Sequence, residues 1–340
     1  MKYLAAFLLP VTLVIAFNAH GFWTFFPLVF AFGIIPIAEF ALGTDSYNLS
    51  NTEKELAAKN PLYDAIIYGT VIFHLGAMFY YLKMMSNTAD MATVDIIGRT
   101  ISIGLMCGVY GINVAHELGH RTNKLDQWIS RVLLTTSLYL HFYIEHNRGH
   151  HRNVATPEDA ATARKGESVY AFWRRTIPGS WINAWRIVEK ERKRKKLKVY
   201  AIANEMLVYQ IIQVFVVALV FLIFGWKAGI GFIASAFLGI ILLETVNYIE
   251  HYGLTRKKIN DFRYEDVTPL HSWNSDYILG RLVLFELTRH SDHHTTPSKE
   301  YQLLDSPDGA SALPAGYPAM MLLCLLPAVW FKVMDKRIPT

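Results

Sequence analysis

The chain has 340 residues, 52% of them hydrophobic, and a formal net charge of +5. Its mean hydropathy of +0.22 is typical of an integral membrane protein and excludes a disordered chain. Its two cysteines, Cys107 and Cys324, lie in apolar runs, which excludes a disulfide framework and a cysteine-ligated cluster. The basic residues lie beside membrane-length segments, so membrane topology explains the charge better than nucleic-acid binding, and we expect no nucleic-acid partner.

Six apolar segments are long enough, or nearly so, to cross a bilayer. They cover residues 3–17, 22–42, 62–85, 94–115, 205–224 and 228–249. The first resembles a signal peptide but has no clear cleavage site, so we interpret it as a retained span. A run at 129–144 contains Arg131 and His141 and is predicted not to cross. Another at 312–334 carries three prolines and is predicted to lie at the interface or pack on the bundle.

Charged residues concentrate in two stretches, 116–204 and 250–311, which we predict to form a cap on one side of the membrane. Within the cap, 152–165 is predicted to be a loop and 181–200 a basic amphipathic helix. The predicted fold class is an all-α integral membrane protein. It is a single membrane domain, residues 1–340, in which about six transmembrane helices carry a cytoplasmic helical cap.

Nine of the thirteen histidines fall in four short motifs, HELGH, EHNRGHH, NYIEHYG and RHSDHH. They are His116, His120, His146, His150, His151, His251, His290, His293 and His294. On an α-helix, His146 and His150 face the same way, with His151 alongside. Neutral imidazole binds transition metals, and nine imidazoles exceed what one ion can hold. The motifs therefore predict two metal ions with four or five histidines each.

Histidines that share a metal site must lie on one side of the membrane. Four predicted spans precede His116, two separate His151 from His251, and none separates His251 from His290, so all nine fall on one face. Because the basic residues concentrate on that face, it is predicted to be cytoplasmic.

Two kinds of membrane protein other than a two-metal redox enzyme also bind metals through histidines, namely metalloproteases and metal transporters. HELGH by itself matches an intramembrane zinc metalloprotease, with Glu117 as general base, but would leave six histidines unused. A metal transporter would place its ligands near the bilayer midplane in interrupted spans. We favour iron over zinc because zinc does no redox chemistry.

HELGHR, EHNRGHH, NYIEHYGL and RHSDHH together resemble the membrane-bound non-haem diiron alkane 1-monooxygenases, within the histidine-box desaturase and hydroxylase superfamily. NYIEHYG, HSWNS at His271–Ser275 and GYP at Gly316–Pro318 narrow the resemblance to alkane hydroxylases and their xylene-type relatives. A fatty acid desaturase or hydroxylase is the nearest alternative. Many members of the family have glutamine where this chain has Thr288. The difference puts the surroundings of the ligands in doubt but leaves the ligands themselves unchanged.

The resemblance implies two irons held by the nine histidines and O₂-dependent hydroxylation of a terminal methyl group. It also implies rubredoxin, with a rubredoxin reductase, as the electron donor, and a multi-pass protein of the bacterial inner membrane. The oligomeric state stays open.

Two ferrous ions bring four positive charges that imidazoles cannot offset, so carboxylates are expected behind the ligands. The candidates are Glu117, Glu145, Asp159, Glu250 and Asp292, and we assign catalytic roles to Asp159 and Glu250. Glu145 and Glu250 directly precede ligands, and pairing with Arg148 or Arg152 is the alternative.

Small residues Ala31 and Gly33 in the second span are predicted to line a hydrocarbon channel that favours medium-to-long alkanes, although close helix packing explains them equally well. The basic run Arg192–Lys198 is interpreted as a lipid anchor or a docking patch for an acidic partner such as rubredoxin.

Four histidines lie outside the motifs. His74 is either functional or a hydrogen-bonded structural residue. His141 and His271 are expected next to the ligands, and His20 is expected to have no part in the site.

Overall fold

A computed structural model describes residues 2–261 and 263–339, which are mostly helical. Within them, four helices are long and apolar enough to cross a membrane: Gly21–Leu42, Leu62–Ser86, Thr93–His120 and Glu205–His251. A shorter apolar helical segment, Lys2–Asn18, precedes them. Large apolar side chains on their outer faces, such as Phe40 and Leu222, are 89% and 81% exposed, as contact with lipid requires. The chain is therefore a helical membrane protein, and the predicted fold class is confirmed.

The predicted spans 205–224 and 228–249 lie in one stretch, Glu205–His251, that breaks in the middle. At Gly225 the backbone has φ 84° and ψ 173°, a conformation that glycine adopts without a steric penalty. The break falls where the sequence predicts the boundary between two spans. The total of six crossings stays a prediction.

Two of the long helices change their pitch along the way. Gly21–Leu42 joins Gly21–Phe25, Phe26–Val29, a π-helical turn at Phe30–Ile34, and Ile35–Leu42. Thr93–His120 joins Thr93–Met106, a π turn at Cys107–Asn113, and Val114–His120. Pro36, which has no amide hydrogen, follows the first π turn and explains its irregular hydrogen bonding.

Shorter elements surround the histidines at one end of the bundle. The α-helices are Leu8–Asn18, Asn51–Ala58, Lys124–Thr136, Phe142–Glu145, His151–Asn153, Val169–Arg194, Ile278–Val283, His290–Thr295, Tyr317–Cys324 and Pro327–Met334, and a π turn covers His146–His150. Strands Lys258–Asn260 and Arg263–Tyr264 pair antiparallel, and Trp273–Asn274 and Ser311–Ala312 pair parallel. The 3₁₀ helices of the described residues are Lys2–Phe7, Gly21–Phe25, Pro269–His271, Tyr301–Leu303 and Asp335–Arg337.

The amphipathic helix predicted at 181–200 has different bounds, Val169–Arg194. It begins earlier because the Ser168 hydroxyl caps it by accepting a hydrogen bond from the Ala171 amide. It ends earlier because Lys196 takes a left-handed conformation, with φ 56°. Pro178 lies inside the helix. A proline usually interrupts a helix, so the helix predicted from the sequence begins after this residue.

Neither of the apolar runs at 129–144 and 312–334 forms a membrane-length helix in the described residues, and their failure to cross stays a prediction. Lys124–Thr136 has 13 residues, too few to cross a bilayer core. Tyr317–Cys324 and Pro327–Met334 pack on the bundle, where Tyr317 and Trp330 share a buried cluster with Tyr248. That cluster brings the C-terminal part of the chain against the helix that ends at His251.

Candidate metal centre

The nine motif histidines converge into two adjacent groups. Nitrogen atoms within each group lie within 4.8 Å of one another. The first group is His116, His120, His146, His151 and His293, and the second is His150, His251, His290 and His294. Two of the nine, His120 and His251, are the last residues of long helices. The predicted convergence on one side of the bundle is confirmed geometrically, while metal binding by each residue stays a prediction.

In the first group the Nε2 atoms nearly touch. His116 and His293 have Nε2 atoms 2.9 Å apart. The Nε2 atom of His151 lies 3.1 Å from that of His120, 2.9 Å from that of His146 and 3.1 Å from that of His293. A neutral imidazole nitrogen carries either one hydrogen or one lone pair, so it cannot form three hydrogen bonds. A cation between these atoms would satisfy all of them.

The second group is equally tight and fully buried. His290 Nε2 lies 3.1 Å from His251 Nε2 and 2.9 Å from His294 Nε2. The His150 ring centre lies 4.8 Å from that of His251 and 4.9 Å from that of His294. The Nε2 atom of His150 has no hydrogen-bond partner among the described residues, although it is buried. An orphaned buried nitrogen facing three imidazoles is what a metal ligand requires.

The spacing between nitrogens fits a metal ion. Two nitrogens about 2.1 Å from a shared ion lie about 3.0 Å apart at a right angle and about 3.4 Å apart at a tetrahedral angle. The closest separations, 2.9–3.1 Å, are short enough for pairs of nitrogens to share one ion.

The histidines of the second motif face the same way, as the sequence predicts. The rings of His146 and His150 stack with their centres 5.2 Å apart, and the ring of His151 lies 4.5 Å from that of His146. The local structure is a π turn, His146–His150, and not the α-helix expected from the sequence. The motif divides between the groups, with His146 and His151 in the first and His150 in the second.

Five of the six motif imidazoles outside the long helices favour the neutral form that metals bind, whereas burial of His150 is outweighed by the Asp159 carboxylate, which raises the pKa of His150. Burial, followed by repulsion from neighbouring imidazoles, lowers the pKa of the other five well below the ordinary value. They are His146, His151, His290, His293 and His294. These side chains are therefore available as ligands at neutral pH.

Asp159 lies directly behind one ligand of the second group. Its Oδ2 is 2.9 Å from His150 Nδ1 and accepts a 2.6 Å hydrogen bond from Thr162. Burial alone would raise the pKa of Asp159, but His150 and these hydrogen bonds outweigh it and lower the pKa. An ionised Asp159 holds the His150 ring with Nε2 facing the group.

Glu250 faces the second group directly. Its Oε2 lies 3.2 Å from His290 Nε2, and its Oε1 accepts a 2.8 Å hydrogen bond from the Tyr317 hydroxyl. Both Glu250 and Tyr317 are buried. The sequence marked Tyr317 only as part of the GYP motif, so its contact with Glu250 was missed.

The other candidate carboxylates have partners of their own. Glu117 Oε1 accepts hydrogen bonds from Arg121 and the Tyr301 amide. Glu145 accepts one from Asn183, and burial, followed by the charge of Asp159, raises its pKa to about 7. Asp292 pairs with Lys299 at 2.6 Å.

The basic partners suggested for Glu145 and Glu250 are not the ones observed. Arg148 pairs with Glu191 and Glu205, so its proposed pairing with Glu145 is wrong. Glu250 instead takes its hydrogen bond from Tyr317.

The histidines outside the motifs differ in their surroundings, and the backbone of His271 lies beside the ring of His251, as expected. His74 bonds the Thr136 hydroxyl at 2.8 Å, which favours the structural interpretation. His271 accepts a hydrogen bond from the Thr268 amide and lies 3.3 Å from Glu265. The rings of His141 and Tyr139 pack edge to face. His20 hydrogen-bonds Asp95, and neither residue belongs to a histidine motif.

An apolar cavity lies in the bundle, and one of its wall residues, Tyr317, bonds Glu250 beside the second group. Its polar side chains are Asn113, three residues before His116, and Tyr317. Its remaining walls are Leu9, Ala31, Phe32, Ile35, Leu105, Gly108, Val109, Leu242, Leu243, Val246, Gly280, Val283, Leu284, Leu287, Pro318 and Met321. Ala31 thus lines the cavity as predicted, whereas Gly33 is not among its walls. No charged side chain occurs in this described lining.

Comparison with models of known protein families identifies the class of protein to which the chain belongs. The family model "Fatty acid desaturase" matches residues 96–307, more than half of the chain. This class fits the buried histidine groups at the end of membrane-length helices.

Individual relatives define the family more closely. An alkane 1-monooxygenase of Pseudomonas putida is 39% identical over 94% of this chain and 80% of its own length. One of Ectopseudomonas oleovorans is 40% identical over the same shares. A xylene/toluene monooxygenase hydroxylase component of P. putida is 27% identical over 72% of this chain and 64% of its own length. The chain belongs to the alkane 1-monooxygenase family and is a membrane-bound monooxygenase, and the family together with the histidine groups supports a metal centre.

Proposed function

We propose that this enzyme hydroxylates the terminal methyl group of medium-to-long n-alkanes to primary alcohols, using O₂ and a pair of iron ions held by the nine histidines. The observation that carries the proposal is the pair of imidazole groups, five and four, beside a cavity without charged walls. Such a cavity suits a substrate that offers no polar group. It disfavours a fatty acid substrate, whose carboxylate would need a basic partner.

When bound, the iron pair supplies oxygen activation and the oxidising power that an inert C–H bond demands. The protein holds both ions with neutral imidazoles, and Asp159 keeps His150 oriented. Glu250 places a carboxylate oxygen at the second group, where it offsets part of the metal charge. The apolar walls orient the chain and exclude water from the reaction.

Iron is preferred over zinc because hydroxylation is a redox reaction, which zinc does not perform. The protease hypothesis loses support as well, because Glu117 is engaged by Arg121 and by the Tyr301 amide.

The electrons come from rubredoxin and its reductase, and the site lies on the cytoplasmic side of the bacterial inner membrane. The placement is supported by the basic residues of Arg192–Lys198, on the histidine side of the predicted topology. Xylene-type side-chain oxidation is the second candidate, supported by the 27% identical xylene/toluene monooxygenase component.

The test combines metal analysis with product analysis on the purified protein in detergent. We expect about two irons per chain and primary alcohols from a panel of linear alkanes supplied with O₂ and reduced rubredoxin. Methylbenzenes in the same panel separate the xylene-type alternative. His151→Ala should abolish alcohol formation, whereas His20→Ala, whose side chain is 83% exposed, should not. One zinc per chain with no alcohol would overturn the proposal.

A further inference from the structure

Tyr317 touches both the cavity and the carboxylate at the second histidine group. Its ring is one of the cavity walls, and its hydroxyl donates a 2.8 Å hydrogen bond to Glu250 Oε1. The other oxygen of Glu250 lies 3.2 Å from His290 Nε2. A single side chain therefore stands between the proposed hydrocarbon site and the proposed metal site.

The backbone around Tyr317 is held firmly. Tyr317 begins the helix Tyr317–Cys324, with Pro318 in its first turn. Gly316 packs against the carboxylate of Glu39, and a side chain at this position would collide with it. Glu39 also accepts a 2.7 Å hydrogen bond from the Gly280 amide. Because its backbone is fixed, the Tyr317 side chain can hold Glu250 in one place.

Glu250 depends on this contact. It is 1% exposed, so water does not replace a lost donor easily. Removing the phenol hydroxyl would leave a buried carboxylate oxygen without that hydrogen bond, which is costly in an apolar setting. The carboxylate would then shift, and its other oxygen would move relative to His290.

We propose that Tyr317 is a positioning residue that couples occupation of the apolar cavity to the placement of Glu250 at the second histidine group. A hydrocarbon in the cavity presses on the phenol ring, and the hydroxyl transmits the displacement to the carboxylate. The inference rests on the proposed function to the extent that the second group holds iron.

The test uses anaerobic, iron-loaded protein in detergent, so that no turnover occurs. Mössbauer spectra are recorded with and without dodecane for wild type, Tyr317→Phe and Tyr248→Phe. Tyr248→Phe is the matched control because it also removes a fully buried phenol hydroxyl, one that bonds the Glu167 carbonyl and not Glu250.

We expect dodecane to change the spectrum of one of the two irons in wild type and in Tyr248→Phe. Tyr317→Phe should lose at least two-thirds of that change, and Glu250→Gln should lose it to the same extent.

A wild-type spectrum that ignores dodecane, or a response that survives in Tyr317→Phe, overturns the inference. Glu250→Gln leaves the phenol in place, so it reports on the coupling if Tyr317→Phe does not fold. The iron content and alcohol formation of wild type report separately on the proposed function.

Discussion

His150 and His151 are adjacent in sequence and belong to different histidine groups. Their neighbours explain the difference in environment. Asp159 bonds the Nδ1 atom of His150, whereas the Nδ1 atom of His151 has no such partner among the described residues. At the scale of single residues, the centre is therefore asymmetric, because the carboxylates of Asp159 and Glu250 both contact histidines of the second group.

Asp159→Asn should weaken iron binding by roughly 10–100-fold, because the amide cannot hold the His150 ring as a carboxylate does. Iron release to a chelator, followed over time, measures the effect. Glu167→Gln is the matched control, since Glu167 pairs with Arg175 away from the histidines. Equal release rates in the two variants would show that Asp159 does not support the ligand.

Ala31→Trp should shift the preferred alkane to shorter chains, because the indole would fill part of the cavity that Ala31 lines. Product profiles from a series of alkanes provide the measurement. Ile34→Trp adds the same ring on the same helix at a position that is 43% exposed. If both variants keep the wild-type profile, Ala31 lies off the substrate path.

At the scale of elements, the second motif lies in a π turn, His146–His150, and supplies ligands to both groups. His146 meets His151, with Nε2 atoms 2.9 Å apart, in the first group. The His150 ring stacks on that of His146, with centres 5.2 Å apart, yet belongs to the second group. One short element therefore joins the two groups.

Single histidine variants should sort by group and not by sequence neighbourhood. His146→Ala and His151→Ala should each retain about one iron and share one residual spectrum. His150→Ala and His251→Ala should share a different one. Mössbauer spectra of the four proteins check this, with Asn147→Ala, in the same turn, keeping both irons. Matching spectra for His146→Ala and His150→Ala would contradict the grouping.

At the scale of the whole molecule, the histidines lie at one end of an apolar bundle. The predicted topology places the basic segment Arg192–Lys198 on the same side of the membrane. Much of that segment is exposed, and Arg192 is engaged with the Ala203 and Lys198 carbonyls. Lys193 pairs with Glu189. The segment therefore has both anchored residues and residues free to meet a lipid surface or an acidic protein.

Reversing the charge at Lys193, Arg194 and Lys195 should slow turnover driven by rubredoxin at least several-fold and flatten its dependence on salt, because electrostatic steering is lost. Turnover with a small-molecule reductant is the control, and it should not change. Unaltered speed and salt dependence with rubredoxin would assign the segment to lipid binding alone.

The sequence by itself determined the class of fold and the nine candidate ligands. A long apolar run in a membrane must satisfy its own backbone hydrogen bonds, which a helix does. Clusters of histidines are easily recognised in a sequence made mostly of such runs. Even the break at Gly225 was visible as a boundary between two apolar segments.

Only the tertiary structure decided which histidine belongs to which group, which carboxylates face them, and which residues line the cavity. These depend on contacts between distant parts of the chain, such as that of Tyr317 with Glu250, 67 residues apart. Side chains meet across such distances because of how helices pack, and packing is a property of the whole bundle.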